Sequence, residues 1–309
     1  MSASQTFQQL QDIYKNGKLA GSWLVCGEKG VGKHTAVRQF IDYLMGSAAS
    51  ASFHPDVKWI MRDYTDKEKK DIIKTLQEGR VLDEDASRAR KAEITVDDIA
   101  QGLLFLGLTS AQNRWRVLVI DTAEDMNVNA ANSLLKRLEE PTSQTVIFLI
   151  SHNKGKLLPT IRSRCRTLTV APADKKEIEA FVDTFDLPDE DKDFIVHVAN
   201  GSFGLAQELA ACDGAALYSE MTDLLTAESF NDADMLSFCL RMLSDEEKSG
   251  VLQALINHYF SEHIAQAQNP KAWLDLWESF LSLQRDVVSL NLEKRDVLMD
   301  FFCQLGRLQ

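Results

Sequence analysis

The sequence has 309 residues, is 45% hydrophobic and 26% charged, and carries a formal net charge of −12. This composition is typical of a globular protein that is long enough for two or three domains, each with its own core. Phosphate affinity comes mainly from Lys and Arg, so an acidic chain is a poor candidate for binding a nucleic-acid backbone alone. Contact with nucleic acid would require a local basic patch or partner subunits.

The five cysteines are scattered along the sequence, and no two of them form a C-x-x-C pair. Such a set is typical of a reducing cytosol and gives no support for a four-cysteine zinc site. The N-terminal segment lacks the basic start and apolar run of a signal peptide. No apolar stretch approaches the roughly 18 residues that a membrane helix needs. We therefore expect a soluble cytoplasmic protein.

The first elements alternate between helix and strand. Phe7, Leu10 and Tyr14 recur at helical spacing, and this helix should end near Gly17. The segment SWLVC then predicts a buried strand, and a glycine-rich loop follows it. Apolar residues at helical spacing after the loop predict a second helix, which Gly46 should end.

The highly charged segment 61–92 predicts an exposed helix in DKEKKDIIKTLQEGR, followed by a solvated link. Thr95 and Asp98 then have the spacing of a capping box, which predicts the start of a helix. The near-continuous apolar run WRVLVID predicts a central parallel strand, buried on both faces. The helix NVNAANSLLKRLEEP should end before Pro141.

Two further strands are predicted in TVIFLIS and RTLTV, and from Ala171 onward the periodicity is helical throughout. Strand–helix alternation followed by helices alone predicts an α/β domain plus helical domains. We place an α/β domain at residues 1–170, a small helical domain at 171–212 and a larger helical domain at 213–309.

The loop CGEKGVGKHT matches the phosphate-binding pattern G-x-x-x-x-G-K, between a predicted strand and a predicted helix. Glycines allow backbone amides to converge on phosphate oxygens, the helix N-terminus is electropositive, and the lysine adds a full charge. The candidate nucleotide-binding residues here are Gly27, Gly30, Gly32 and Lys33. A chance glycine turn at a strand–helix junction is the alternative.

The position after the lysine, where a Ser or Thr oxygen usually binds Mg²⁺, is His34. Imidazole is a poor substitute for that hard ligand. Thr35, a further candidate, lies one residue late and is rotated by about 100° around the helix. The sequence therefore predicts that phosphates can be held while the metal is held poorly.

Asp121 follows the strand VLVI and is a candidate Mg²⁺ ligand; capping of the next turn is the alternative. The glutamate that activates water in hydrolytic enzymes of this type is replaced by Thr122, which cannot act as a general base at neutral pH. Glu124 should face elsewhere. These defects predict that the chain hydrolyses little ATP by itself.

Two long motifs, IDTAEDMNVNAANSLLKRLEEP and FLISHNKGKLLPTIRSRC, resemble AAA+ clamp-loader subunits of bacterial DNA polymerase III, in particular the delta-prime type. The resemblance covers about 170 residues, and ANGSFGLAQEL resembles part of the family's lid domain. It implies a fold with an AAA+ P-loop NTPase-like parallel-sheet domain, a small helical lid domain and an all-helical C-terminal collar domain.

The resemblance also implies partners: the gamma/tau and delta subunits, the sliding clamp, and primer-template DNA reached mainly through the assembled complex. In such rings an arginine of the SRC motif completes a neighbouring subunit's ATP site. Arg164, between Ser163 and Cys165, would supply that arginine finger in trans. The alternative is that Arg164 pairs with a carboxylate or caps a helix end.

Several departures favour a non-hydrolysing subunit over a gamma/tau motor, which is the main alternative; a nucleotide kinase is a further one. His34 and Thr122 weaken the chain's own site, and Leu205 stands where active relatives often carry a phosphate-sensing arginine. No cofactor would be required, ATP or ADP with Mg²⁺ would be held weakly, and the absence of cysteines from residues 27–120 predicts no zinc.

Residues 142–173 contain no Asp or Glu but carry five basic residues. This basic stretch could meet a neighbour's nucleotide, DNA phosphates or an acidic subunit surface; a solvated charged face is the alternative. Its cations are Lys154, Lys156, Arg162, Arg164 and Arg166.

Overall fold

The structure, a computed structural model, describes residues 2–46, 54–65, 67–70, 72, 90–108, 115–140, 142, 144–227, 231–244, 246–267, 269–287 and 292–308. The chain divides into two compact units, Met1–Asp174 and Lys175–Gln309. None of the helices in these ranges is both long and apolar enough to cross a membrane.

The first unit is built around a five-stranded, all-parallel sheet with the strand order β2-β3-β4-β1-β5. The central strands β1, β3 and β4 are buried along their whole length, as their continuous apolar sequences predict. The strands are β1 Gly21–Cys26, β2 Val57–Ile60, β3 Arg116–Ile120, β4 Thr145–Ser151 and β5 Arg166–Thr169.

Helices cover both faces of this sheet. Because all five strands are parallel, their carboxyl ends share one edge. Two 3₁₀ turns, Ala123–Asp125 and Lys154–Lys156, follow β3 and β4 at that edge. Besides the helical residues 67–70 and 72, the helices in the described part of the first unit are α1 Ala3–Lys15, α2 Lys33–Met45, α3 Val96–Gly107, α4 Val128–Glu139 and the short α5 Pro159–Arg162.

The alternation of side chains along each strand produces two cores, one on each face of the sheet. On one face Val25 packs with residues of α1 and α2, among them Leu10 and Phe40. On the other face the preceding residue, Leu24, packs with residues of α3 and α4, including Leu134. Because β1 is held on both sides, the loop that follows it leaves the sheet from a rigid position.

The predicted α/β fold class is confirmed, as are the four predicted strands and the helix before the glycine loop. The capping box also forms, since Asp98 accepts hydrogen bonds from the backbone N–H and the hydroxyl of Thr95. Strand β2 was not predicted, because VKWI is too short and too mixed in polarity to stand out. Most of the predicted charged helix and link in segment 61–92 lies outside the described residues; 67–70 and 72 are helical.

The second unit is helical in every described element. Aromatic side chains join α11, α12 and α13: Phe260 lies against Trp273 and Trp277, and Phe280 stacks on Phe301 with centroids 4.0 Å apart. The division of this region at residue 212 stays a prediction. The helices are α6 Lys175–Val182, α7 Asp189–Ala199, α8 Phe203–Ala211, α9 Gly214–Thr226, α10 Asp232–Met242, α11 Glu246–His263, α12 Pro270–Asp286 and α13 Lys294–Leu305.

Candidate functional site

The glycine loop connects the end of β1 directly to the N-terminus of α2. Gly30 and Gly32 adopt positive φ angles of 81° and 88°, a region that favours glycine, and Gly32 is the N-cap of α2. Gly27 is required for a different reason: a Cβ there would lie 2.2 Å from the carbonyl oxygen of Val170. The loop glycines therefore permit both the turn and the close packing of the loop against the chain after β5.

Lys33, the first residue of α2, is folded back onto its own loop. Its side chain is buried, with 3% of its surface exposed, and Nζ donates to the carbonyl oxygen of Gly27 at 2.9 Å and to that of Glu28. Burial lowers the pKa of Lys33 to about 8, against the opposing charges of Glu124 and Asp121. The ammonium of Lys33 therefore lies in the loop where an anion would bind, and it already donates to two backbone carbonyl oxygens.

His34 occupies the position of the usual metal-binding hydroxyl and binds the candidate metal ligand itself. Its Nδ1 lies 2.9 Å from Oδ2 of Asp121, and its ring stacks on Trp59 with centroids 4.6 Å apart. Burial alone would raise the pKa of Asp121, but the hydrogen bond and charge of His34 keep it below its usual value. The carboxylate that would receive Mg²⁺ is therefore already paired with an imidazole.

Thr35 is exposed on α2, one residue beyond the position of the usual hydroxyl. Thr122, directly after Asp121, has a φ of 59° and begins the 3₁₀ turn after β3. The structure brings Gly27, Gly30, Gly32, Lys33 and Asp121 together at the carboxyl edge of the sheet. The loop glycines and Lys33 are groups of the kind that bind phosphates, whereas Asp121, the candidate Mg²⁺ ligand, is paired with His34.

Glu124 does not face elsewhere, contrary to expectation. One carboxylate oxygen accepts hydrogen bonds from the backbone N–H groups of His152, at 2.7 Å, and Asn153. The other oxygen is buried and has no hydrogen-bond partner within the described structure, and the same holds for Nδ1 of His152. Burial and the nearby Lys33 lower the pKa of His152. Sequence reasoning missed this pair, since nothing local indicates that the loop after β4 reaches the glycine loop.

Arg164 lies just after α5 and is held by its own chain. Nε and Nη2 donate to the same carboxylate oxygen of Glu139, at the end of α4, and Nη1 donates to the carbonyl oxygen of Thr160 at 3.0 Å. About a third of the arginine side chain remains exposed. Burial raises the pKa of the adjacent Cys165 to about 12, so its thiol stays protonated and carries no chemistry.

The cations of the basic stretch lie in different surroundings. Arg166 is anchored, since Nη1 donates to the carbonyl oxygen of Lys18 at 2.8 Å and its guanidinium lies over Trp23. Lys154 and Lys156 are exposed on the 3₁₀ turn after β4. Arg162 ends α5. Leu205 lies in α8 of the second unit, and its backbone N–H donates to the hydroxyl oxygen of Ser202, the N-cap of that helix.

No group of three or more His, Cys, Asp or Glu side chains in the described ranges is arranged to hold a metal ion. The absence of zinc stays a prediction.

Sequence comparisons give one family match and several relatives. The model of the family described as "DNA polymerase III, delta subunit" matches residues 2–174. A delta-prime subunit of DNA polymerase III from Pseudomonas aeruginosa is 50% identical over 72 residues, which cover 23% of this chain and 22% of that protein. A gamma subunit from Buchnera aphidicola is 30% identical over 153 residues, 48% of this chain and 38% of the relative.

A tau subunit from Salmonella typhimurium is 24% identical over 247 residues, 78% of this chain and 35% of the relative. The chain thus spans less than half the length of each of these relatives. Among solved structures, a gamma subunit-related protein from Thermotoga maritima is similar with a TM-score of 0.55 and 19% identity. That match covers 98% of this chain and 99% of the other, and it supports the fold.

Proposed function

Because the chain belongs to the family described as DNA polymerase III, delta subunit, we propose that it is a delta-prime-like, non-hydrolysing subunit of the clamp loader. In this role it helps the assembled complex to load the sliding clamp onto primed DNA at the expense of ATP bound by other subunits. Its own contribution to that chemistry is Arg164, presented to a neighbouring subunit's nucleotide.

The observation that carries this proposal is the contrast between two sites in the first unit. In the glycine loop, His34 binds Asp121, and Thr122 stands where a water-activating glutamate is needed. A loop of this kind supports weak phosphate binding without hydrolysis. The side chain of Arg164, by contrast, remains about a third exposed, and its guanidinium is attached to the body of the domain through Glu139 and Thr160.

An arginine in that position has the chemistry that phosphoryl transfer requires. The guanidinium is always charged, planar and able to donate two parallel hydrogen bonds to phosphate oxygens. Negative charge on the transferring γ-phosphoryl group can be stabilised by such a group supplied from another subunit. The half-exposed ion pair with Glu139 does not prevent this, because exposed pairs contribute only about 0–1 kcal/mol.

The partners follow from the proposed role: gamma/tau and delta subunits, the sliding clamp, and primer-template DNA reached through the complex, all in the cytoplasm. No cofactor is required by this chain, and any ATP or ADP in its loop is held weakly and with little help from Mg²⁺. Lys154 and Lys156 of the basic stretch are exposed on one turn of this acidic chain, where phosphates or an acidic subunit can bind.

A gamma/tau-like motor is the second candidate, since the matches to gamma and tau subunits extend over more of the chain than the match to the Pseudomonas aeruginosa delta-prime subunit. The two roles differ in one simple property. A motor hydrolyses ATP at its own glycine loop, whereas the proposed subunit does not.

The proposal is tested by reconstitution with gamma/tau and delta subunits, with and without this chain. We expect a stable complex that loads the clamp onto primed DNA only when the chain is present, while the isolated chain shows no ATP hydrolysis above background. Hydrolysis by the isolated chain that is lost in Lys33→Met would identify a motor. Failure to join the complex would refute the proposed role altogether.

A further inference from the structure

Glu139, the last residue of α4, is the main side-chain contact of Arg164, and α4 packs against the short helix that precedes the arginine. We propose that Glu139 is a positioning residue: it holds the guanidinium of Arg164 in the orientation needed to meet a neighbouring subunit's γ-phosphate. This inference rests on the proposed function and adds a second residue to it.

The hydrogen bonds of Arg164 leave a suitable set of donors. A guanidinium has five N–H groups. Two of them, one on Nε and one on Nη2, are directed to Glu139, and one on Nη1 is directed to the carbonyl oxygen of Thr160. One N–H therefore remains on each terminal nitrogen, and two such donors are what bidentate recognition of phosphate oxygens uses.

The stability of α4 does not explain why a glutamate stands at position 139. An acidic side chain at the C-terminal end of a helix is unfavourable, because the carbonyl end of the helix dipole is negative. Lys136 and Arg137 in the last turn are the residue types that favour this position. The ion pair is also half exposed, so its contribution to folding is small. The contact between Glu139 and Arg164 therefore contributes little to the helix or to folding, and its main effect is to orient the guanidinium.

The benefit of such a contact is kinetic. Arginine has several flexible torsions, and fixing them at the moment of reaction would cost conformational entropy. A guanidinium already fixed at its Nε side loses less freedom when its terminal nitrogens engage phosphate. Groups positioned in advance in this way raise the rate of the chemical step, and small misplacements lower that rate substantially.

The experiment uses the reconstituted complex and compares Glu139→Ala with Glu140→Ala, the adjacent exposed glutamate at the C-cap of the same helix. For Glu139→Ala we expect kcat for DNA-stimulated ATP hydrolysis to fall about threefold to fivefold, the limit that an exposed ion pair sets, with KM for ATP little changed, since the finger acts in the transition state. Glu140→Ala should behave as wild type. Glu139→Gln keeps an acceptor oxygen and should recover part of the rate.

A double-mutant cycle with Arg164→Ala separates positioning from other effects. If Glu139 acts through Arg164, then Glu139→Ala causes no further loss in the Arg164→Ala background. An equal loss in both backgrounds, a wild-type rate for Glu139→Ala alone, or an increased rate would each overturn the inference. Should Glu139→Ala fail to join the complex, the same cycle is run with Glu139→Gln.

The cycle also distinguishes the two proposals. If Arg164→Ala has no effect on hydrolysis by an intact complex, the arginine-finger function fails, whatever Glu139 does. If Arg164→Ala lowers the rate but Glu139→Ala does not, the function stands and only the positioning role is wrong.

Discussion

The buried lysine of the glycine loop makes a quantitative prediction about pH. Burial lowers the pKa of Lys33 from 10.5 to about 8. An anion bound in the loop requires the charged ammonium, so its affinity follows the protonated fraction of Lys33 in the free chain. That fraction falls from about 0.9 at pH 7 to about 0.1 at pH 9, and affinity should fall about tenfold. A lysine with its ordinary pKa would produce almost no change over this range.

The assay is the affinity of the isolated chain for ADP, measured by isothermal titration between pH 7 and pH 9, above the pKa of the terminal phosphate. Lys33→Met keeps a long apolar side chain and should show weaker binding that no longer depends on pH. Lys29→Met, in the same loop, serves as the matched control and should keep the tenfold decline.

The same titration tests the role of His34. Because the imidazole already binds Asp121, addition of a chelator should leave the affinity for ADP nearly unchanged. A constant affinity from pH 7 to pH 9 in the wild type, or an equal decline in Lys33→Met, would refute the assignment of Lys33 as the anion contact. Strict dependence on Mg²⁺ would refute the account of His34.

Three further expectations concern stability and metal content. Gly27→Ala should lower the unfolding free energy by about 3 kcal/mol or more, since the new Cβ would lie 2.2 Å from the Val170 carbonyl oxygen; urea denaturation measures this. Burial, reinforced by His197 and His263 and opposed by Glu262, lowers the pKa of His258, so the folded state disfavours its protonation. Stability should therefore decline as pH falls below 6.5, and His258→Gln should reduce the decline measured by urea unfolding at pH 7.5 and 5.5. Elemental analysis of the purified chain should find no stoichiometric zinc, and one zinc per chain would contradict this expectation.

Much of the first unit could be predicted from the sequence, because its signals are local. The apolar runs of β1, β3 and β4 reflect burial on both faces, and the glycines at 30 and 32 mark a turn with positive φ. The capping box at Thr95 and Asp98 involves residues only three apart. In each case the physical cause lies within a few residues of the signal.

The missed features depend on contacts between distant parts of the chain. The pairing of His34 with Asp121 spans 87 positions, and that of Glu139 with Arg164 spans 25. Glu139 belongs to a recognised motif, LEEP, but nothing in the motif indicates which glutamate faces the arginine. The stacking of Trp59 on His34 depends on strand β2, which the sequence did not predict.

The central claim is that Arg164 acts on a neighbouring subunit's ATP and not on the stability of its own chain. The most direct test is DNA-stimulated ATP hydrolysis by the reconstituted complex with wild-type chain, with Arg164→Ala, or with the control Arg162→Ala, which changes the last residue of the short helix before Arg164. We predict at least a tenfold loss for Arg164→Ala, because arginine fingers contribute about 10³-fold or more at the site they complete. Complex assembly should be retained, and unfolding free energy should change by less than about 1 kcal/mol. An unchanged rate in an intact complex, or an equal loss in Arg162→Ala, would contradict the account.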